Sequence, residues 1–211
     1  MNATQKTNYS LMLENTIKGL GEKRPRLLLH ACCAPCSSYV LEYLSSYFDI
    51  TIFFYNPNIS PKEEYDFRAE ELRKLVSLME LDKTISVICA EYDPAPFDII
   101  TKGKEELPEG SSRCAECYRL RLAEAARIAA EGGFEYVTTT LSISPYKNAL
   151  WLNTIGNEEA KRHGVKYLFS DFKKKNGYKR SCELSEKYDL YRQNYCGCIY
   201  SKRQSEKKEQ V

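Results

Sequence analysis

Residues 26–47 read RLLLHACCAPCSSYVLEYLSSY. An apolar run ends in a histidine, three cysteines follow within five positions, and a helix-like stretch begins at about Pro35. Strand, short loop and helix in that order form the first half of a βαβ unit. Further along, Asp49 to Tyr55, Thr84 to Cys89, Phe134 to Thr140 and Val165 to Phe169 are apolar or β-branched and read as strands. Helical patterns separate them: 61–81, where Ser60 suits the N-cap and Pro61 the first helical position, then about 113–130 and 148–162. Strands alternating with helices predict an α/β protein, a mainly parallel Rossmann-like sheet with helices on both faces. In such sheets ligands bind beyond the carboxyl ends of the strands, where the strand order reverses. The cysteine stretch falls there, and so does TTTLSISPYKN at 138–148.

The 211 residues suffice for one sizeable core, with 43% hydrophobic and 28% charged residues, as in an ordinary globular chain. One domain is expected over 1–211: a core at about 24–170, a basic segment at 171–201 with a helix near Ser181 to Leu190, and a frayed tail at 202–211. No stretch is apolar enough to span a membrane, and the N-terminus lacks the pattern of a secretory signal, so the expectation is a cytoplasmic protein with no membrane partner. From Lys166 onward 12 Lys and Arg face 6 Asp and Glu, a bias that suits a polyanionic partner.

Nine cysteines in a reducing compartment point to metal ligation or redox chemistry rather than structural disulfides. Seven of them are grouped: Cys32, Cys33 and Cys36; Cys114 and Cys117; Cys196 and Cys198. Cys89 and Cys182 stand alone and read as small core hydrophobes. Cys114 and Cys117 share one face in the first turn of a helix, where the helix terminus favours thiolate. Cys33 and Cys36 fit a thioredoxin-type pair, although such a domain needs neither Cys32 nor the later pairs. Cys196-Gly-Cys198 can face one site or close a strained disulfide. Structural zinc uses four ligands, and His30 and His163 are the chain's two histidines, so an iron–sulfur cluster with a second metal or a redox dithiol accounts better for seven thiols.

Five stretches, LLLHACCAPCS, FYNPNISPKEEYDFR, RCAECYRLRL, TTTLSISPYKN and LYRQNYCGCIYS, occur in order from Leu27 to Ser201. In this combination the chain resembles the QueH-type epoxyqueuosine reductases. The resemblance implies a sheet of the adenine-nucleotide α-hydrolase-like type, seen in ATP pyrophosphatases. It implies reduction of epoxyqueuosine to queuosine at the wobble base of tRNA, an external electron donor, a [4Fe–4S] cluster and a neighbouring mononuclear iron. By similarity Cys32, Cys33, Cys114 and Cys117 hold the cluster, Cys36 the second iron, and Cys196 and Cys198 are the redox pair or further ligands of that iron. Family members commonly carry histidine where this chain has Ser60 and Tyr146; tyrosine can still donate a proton, and serine reaches less far. The loop after the first strand has no glycine, whereas an ATP pyrophosphatase cradles phosphate there with S-G-G-x-D-S, so no ATP is expected.

Tyr146, Tyr65 and His30 are candidate proton donors near strand ends or helix starts. Tyr65, Arg68, Lys147, Asn148 and Arg192 lie in the matching stretches as candidate substrate contacts. The basic run FKKKNGYKRS, with Lys173, Lys174 and Lys175 beside Phe172 and Tyr178, suits phosphate contact and stacking on tRNA. Three rival functions carry different expectations: a thioredoxin-like oxidoreductase, a zinc-stabilised RNA-binding module, and a sulfur-transfer tRNA enzyme that would need a nucleotide loop.

Overall fold

Leu27, Leu28 and Leu29 are all completely buried, although successive residues of a strand point to opposite faces. Only a strand covered on both sides satisfies that, and β1 (Arg26–His30) is such a strand. A computed structural model describes residues 7–81 and 84–209. Five strands pair in parallel in the order β3-β2-β1-β4-β5, with β2 Asp49–Phe54, β3 Ser86–Cys89, β4 Tyr136–Thr139 and β5 Lys166–Tyr167. The architecture is α/β and Rossmann-like, as expected.

Leu27 and Leu29 face a core built with Val40, Leu41 and Leu44 of α2 (Ala34–Leu44) and Leu72 and Leu75 of α3 (Lys62–Leu78). Leu28 faces the other way, onto Ala125 and Ala129 of α5 (Ser112–Glu131) and Ala160 of α6 (Ala149–Arg162). Small alanines let those two helices lie close to the sheet and to each other. The chain runs from β1 outward to β3, then returns to β4 on the other side of β1. The switch point therefore lies between β1 and β4, whose last residues His30 and Thr139 are in register.

Several local expectations are corrected. Ser60 does not cap α3: its N–H donates to the Gly197 carbonyl at 3.1 Å, tying it to the C-terminal segment, and the helix starts at Lys62 with Pro61 in the cap position. The basic segment holds α7 (Gly177–Lys187), which starts before Ser181. The tail expected to fray forms α8 (Ile199–Glu209), with residues 210–211 outside the described residues. Its first turn is anchored from afar, because Tyr200 lies under the Arg113 guanidinium at 4.4 Å and the Ser201 hydroxyl donates to Glu109 at 3.0 Å. Two helices lie where the sequence pattern predicts none: α1 (Tyr9–Leu20), capped by Asn8, and α4 (Ala95–Thr101), which packs on α5. Among the described residues no helix is long and apolar enough to cross a membrane.

Candidate functional site

β1 ends in His30, and both ring nitrogens are committed. Nε2 faces the Tyr55 carbonyl at 3.1 Å, so it carries the proton; Nδ1 then accepts from the Thr139 hydroxyl at 2.9 Å. Burial pushes the ring's pKa down to about 3. His30 is thus a neutral tie between the ends of β1, β2 and β4, not the proton donor considered from the sequence.

Immediately beyond it the chain leaves the sheet and presents its thiols. Cys33 occupies the N-cap position of α2 in an extended conformation, and Pro35 and Cys36 follow in its first turn. Among the described residues, the sulfurs of Cys32, Cys33 and Cys36 form the one group of three or more potential ligands within 4.8 Å of one another. Cys32 and Cys33 sulfurs are 3.7 Å apart. Two thiolates on one tetrahedral ion, with metal–sulfur bonds of about 2.3 Å, would stand at about 3.8 Å. The three thiols share charge unequally. Hydrogen bonds from Cys32, then from Cys36, hold the Cys33 thiol well below its usual range; the bond with Cys33 raises Cys32, and bonds with Cys32 and then Cys33 raise Cys36. A soft, partly ionised donor set of this spacing fits a thiophilic metal.

These thiols form part of the wall of a cleft of about 390 Å³, within the range of ligand sites. Cys196, Lys147, Glu109 and Arg121 contribute to the same wall, and Tyr146, Tyr178, Arg192 and Tyr195 lie further along it. Lys147 is 8% exposed, and its ammonium contacts Glu109 Oε1 at 2.8 Å and the Cys196 sulfur at 3.1 Å. Glu109 Oε2 accepts from Ser201, whose oxygen accepts the Cys196 N–H at 3.0 Å. Four residues from three segments thereby close a ring that holds Cys196 at the cleft.

The remaining thiols stand behind this wall. Cys114 and Cys32 pack against one buried cluster, Tyr118, Leu122, Leu141, Leu152 and Ile155, and the Cys114 sulfur accepts the Gly110 N–H at 3.3 Å. Cys117 and Cys198 are buried together against Phe97, and burial pushes their thiols up to about 11 and about 12. The Cys198 sulfur accepts the Ser201 N–H at 3.3 Å, so it is turned from the cleft wall where Cys196 stands.

Other sequence candidates are placed differently from expectation. Tyr65 is core: its ring packs on Phe54 and Tyr92, and its hydroxyl donates to the Ala90 carbonyl at 2.6 Å, joining α3 to the end of β3. Tyr65→Phe is expected to cost about 1 kcal/mol of stability, the worth of one buried hydrogen bond, and to leave kcat/KM within about twofold; urea melts and steady-state kinetics check this. Arg68 is buried too, paired with Glu64 at 2.7 Å and donating to the Cys196 carbonyl at 3.2 Å, so it positions the cysteine segment from behind. Asn148 caps α6 by accepting the Trp151 N–H. Lys173 is engaged with Asp171 at 2.7 Å, Lys175 pairs with Glu14, and Phe172 is core. Lys174 is exposed, and Tyr178 and Arg192 do reach the cleft, the guanidinium 5.8 Å from the ring. Tyr146 stands at the cleft, 79% exposed.

Glu109, Arg121 and Asn56 were not singled out from the sequence. Glu109 lies in a stretch that reads only as polar loop. Arg121 follows Cys117 by four residues, and that helical spacing is the signal that could have found it on the cysteine face.

A parallel α/β fold with three thiols that could hold a metal ion at its switch-point cleft defines a protein of the Rossmann-like class. The family model described as Epoxyqueuosine reductase QueH matches residues 27–204. Proteins with that same name from Streptococcus pyogenes, Staphylococcus epidermidis and Thermotoga maritima are 46%, 43% and 36% identical to it. Those matches cover 95%, 93% and 83% of this chain and 80%, 85% and 89% of the relatives. The chain belongs to the QueH family.

Proposed function

We propose that this protein is an epoxyqueuosine reductase that acts on the wobble nucleoside of tRNA in the cytoplasm, using an iron–sulfur centre and an external electron donor. The observation that carries the reading is the thiol group of Cys32, Cys33 and Cys36 at the switch-point cleft of a QueH-family fold. Cys114 and Cys117 behind that wall complete the proposed [4Fe–4S] ligand set with Cys32 and Cys33, and Cys36 with Cys196 or Cys198 is the proposed seat of a further iron. Removing an epoxide oxygen consumes two electrons and two protons and yields an alkene and water. The chemistry such a centre supplies when bound is one-electron transfer and Lewis acidity toward oxygen.

The chain's own residues do the rest. A cleft of about 390 Å³ takes a base splayed out of the anticodon loop rather than a stacked one. Tyr178 and Arg192 supply an aromatic face and a planar cation at its rim, suited to stacking. Lys147 places an ammonium at the cleft wall, where it can hold a proton near an oxygen as the C–O bond breaks. Arg68, Glu109 and Ser201 fix the segment that carries Cys196.

Exposed Lys174 and Lys179, flanking the rim residue Tyr178, are the proposed phosphate contacts. Reversing both charges is expected to raise KM for tRNA about tenfold and to lower the slope of log affinity against log salt by about 2, with kcat nearly unchanged. The function itself is tested by incubating anaerobically reconstituted protein with epoxyqueuosine-containing tRNA and a chemical reductant, then identifying the nucleosides by mass. Conversion to queuosine is the expected result. Metal-loaded protein that binds the tRNA and leaves the nucleoside intact would sink the proposal.

A further inference from the structure

Three arginines are almost wholly buried around the cysteines, and two of them are engaged away from the thiols. Arg68 is paired with Glu64. Arg113 donates to the carbonyls of Lys104, Glu105 and Leu107 at 3.1, 2.7 and 2.5 Å and covers the Tyr200 ring. Arg121 differs. It is 1% exposed and yet forms part of the cleft wall. Nη2 donates to Asn56 Oδ1 at 2.5 Å, Nη1 reaches the Cys117 sulfur at 4.0 Å, and Nε has no hydrogen-bond partner among the described residues. Among those residues Arg121 makes no salt bridge to a carboxylate. Cys32 and Cys196, from the other two cysteine groups, line the same cleft wall as Arg121.

A guanidinium buried without a carboxylate is strongly unfavourable, and the groups it faces here are cysteine sulfurs, which give up their protons when they ligate a metal. Asn56 fits that requirement. Its Nδ2 donates to the Ala31 carbonyl at 2.9 Å, which turns its oxygen toward Arg121. A neutral amide orients the guanidinium without cancelling its charge, as an aspartate in that place would.

We infer that Arg121, held by Asn56, is the fixed counter-cation of the thiolate centre, neutralising one unit of the negative charge that metal ligation brings into the cleft. It thereby raises the affinity for metal and the ease with which the centre accepts an electron. Arg121 is a positioning and charge-compensating residue that need not touch substrate. The inference rests on the metal-centre reading above, and its test separates the two.

Metal-free, reduced protein is titrated with cadmium against a chelator, read by thiolate–metal charge-transfer absorption, and the iron-loaded protein is titrated for its midpoint potential. Arg121→Met is expected to weaken cadmium binding about tenfold or more, the loss typical of an outer-sphere partner, and to move the potential to more negative values. Arg121→Lys, which keeps the charge, restores most of the affinity. Asn56→Asp weakens binding although the guanidinium remains. Metal-free Arg121→Met melts no lower than wild type, because it loses an unanswered buried charge, whereas a residue that served packing alone would lower it. Wild-type binding with Arg121→Met affinity and potential unchanged, or Arg121→Lys as weak as Arg121→Met, overturns the role of Arg121 alone. Wild-type protein that takes up neither cadmium nor iron overturns the metal-centre reading, and this inference with it.

Discussion

Cys33→Ala protein is expected to purify folded, without iron, and to leave epoxyqueuosine in tRNA unreduced. Of the three clustered thiols Cys33 is the one biased to thiolate, by hydrogen bonds from Cys32 and Cys36, and it sits at the N-cap of α2. Its removal leaves two thiols that no longer have an anion to share and opens the donor set on its buried side. The methyl group that replaces it keeps the backbone position, and far-UV circular dichroism should match the wild type. Turnover should fall by at least about 10³-fold, equivalent to about 4 kcal/mol of transition-state stabilisation, because ligands of one centre act as a unit. Cys182→Ser, on α7 away from the cleft lining, should retain full metal and activity. Full iron content in Cys33→Ala would remove Cys33 from the ligand set.

Gly197→Ala is expected to damage the site through the backbone. Gly197 has φ +112°, a region that side-chain-bearing residues rarely adopt. An added Cβ would stand 2.9 Å from Arg68 Nη1 and 3.0 Å from Ile59 Cγ1. The segment cannot relax freely, because the Gly197 carbonyl accepts from Ser60 and the Cys196 carbonyl from Arg68. Strain of about 1–3 kcal/mol follows at this residue. Part of it is relieved by displacing Cys196 and loosening its contact with Lys147. A shift of about 1 Å at a reacting site can cost about 10²-fold in rate, and kcat/KM should fall on that order. Steady-state kinetics beside a thermal melt check both halves. Wild-type kcat/KM in this variant would mean that the geometry of Cys196-Gly197-Cys198 does not matter to the reaction.

The elements that position the site were legible where one local property decides. Strands alternating with helices read as a doubly covered parallel sheet, and the complete burial of Leu27, Leu28 and Leu29 bears that out. Partners that come from distant segments were not legible. Tyr65 read as a substrate contact until the pairing of β2 with β3 brought the Ala90 carbonyl to its hydroxyl. Lys173 and Lys175 read as open cations, but Asp171 and Glu14 answer them. The tail read as frayed because α8 is polar, and what holds its start is Arg113 and Glu109 from the far side of the chain. Arg121 was within reach of the sequence, since spacing from Cys117 put it on the thiol face; what spacing could not show is that its amide partner, Asn56, leaves its charge unanswered.

The most direct test of the metal centre is the content of iron, zinc and acid-labile sulfide per chain in protein purified without oxygen. About 4 to 5 iron with about 4 sulfide, and a brown colour, is the result expected of a cubane cluster with or without a further iron. Stoichiometric zinc with no sulfide would contradict it and would make the thiols a structural zinc site.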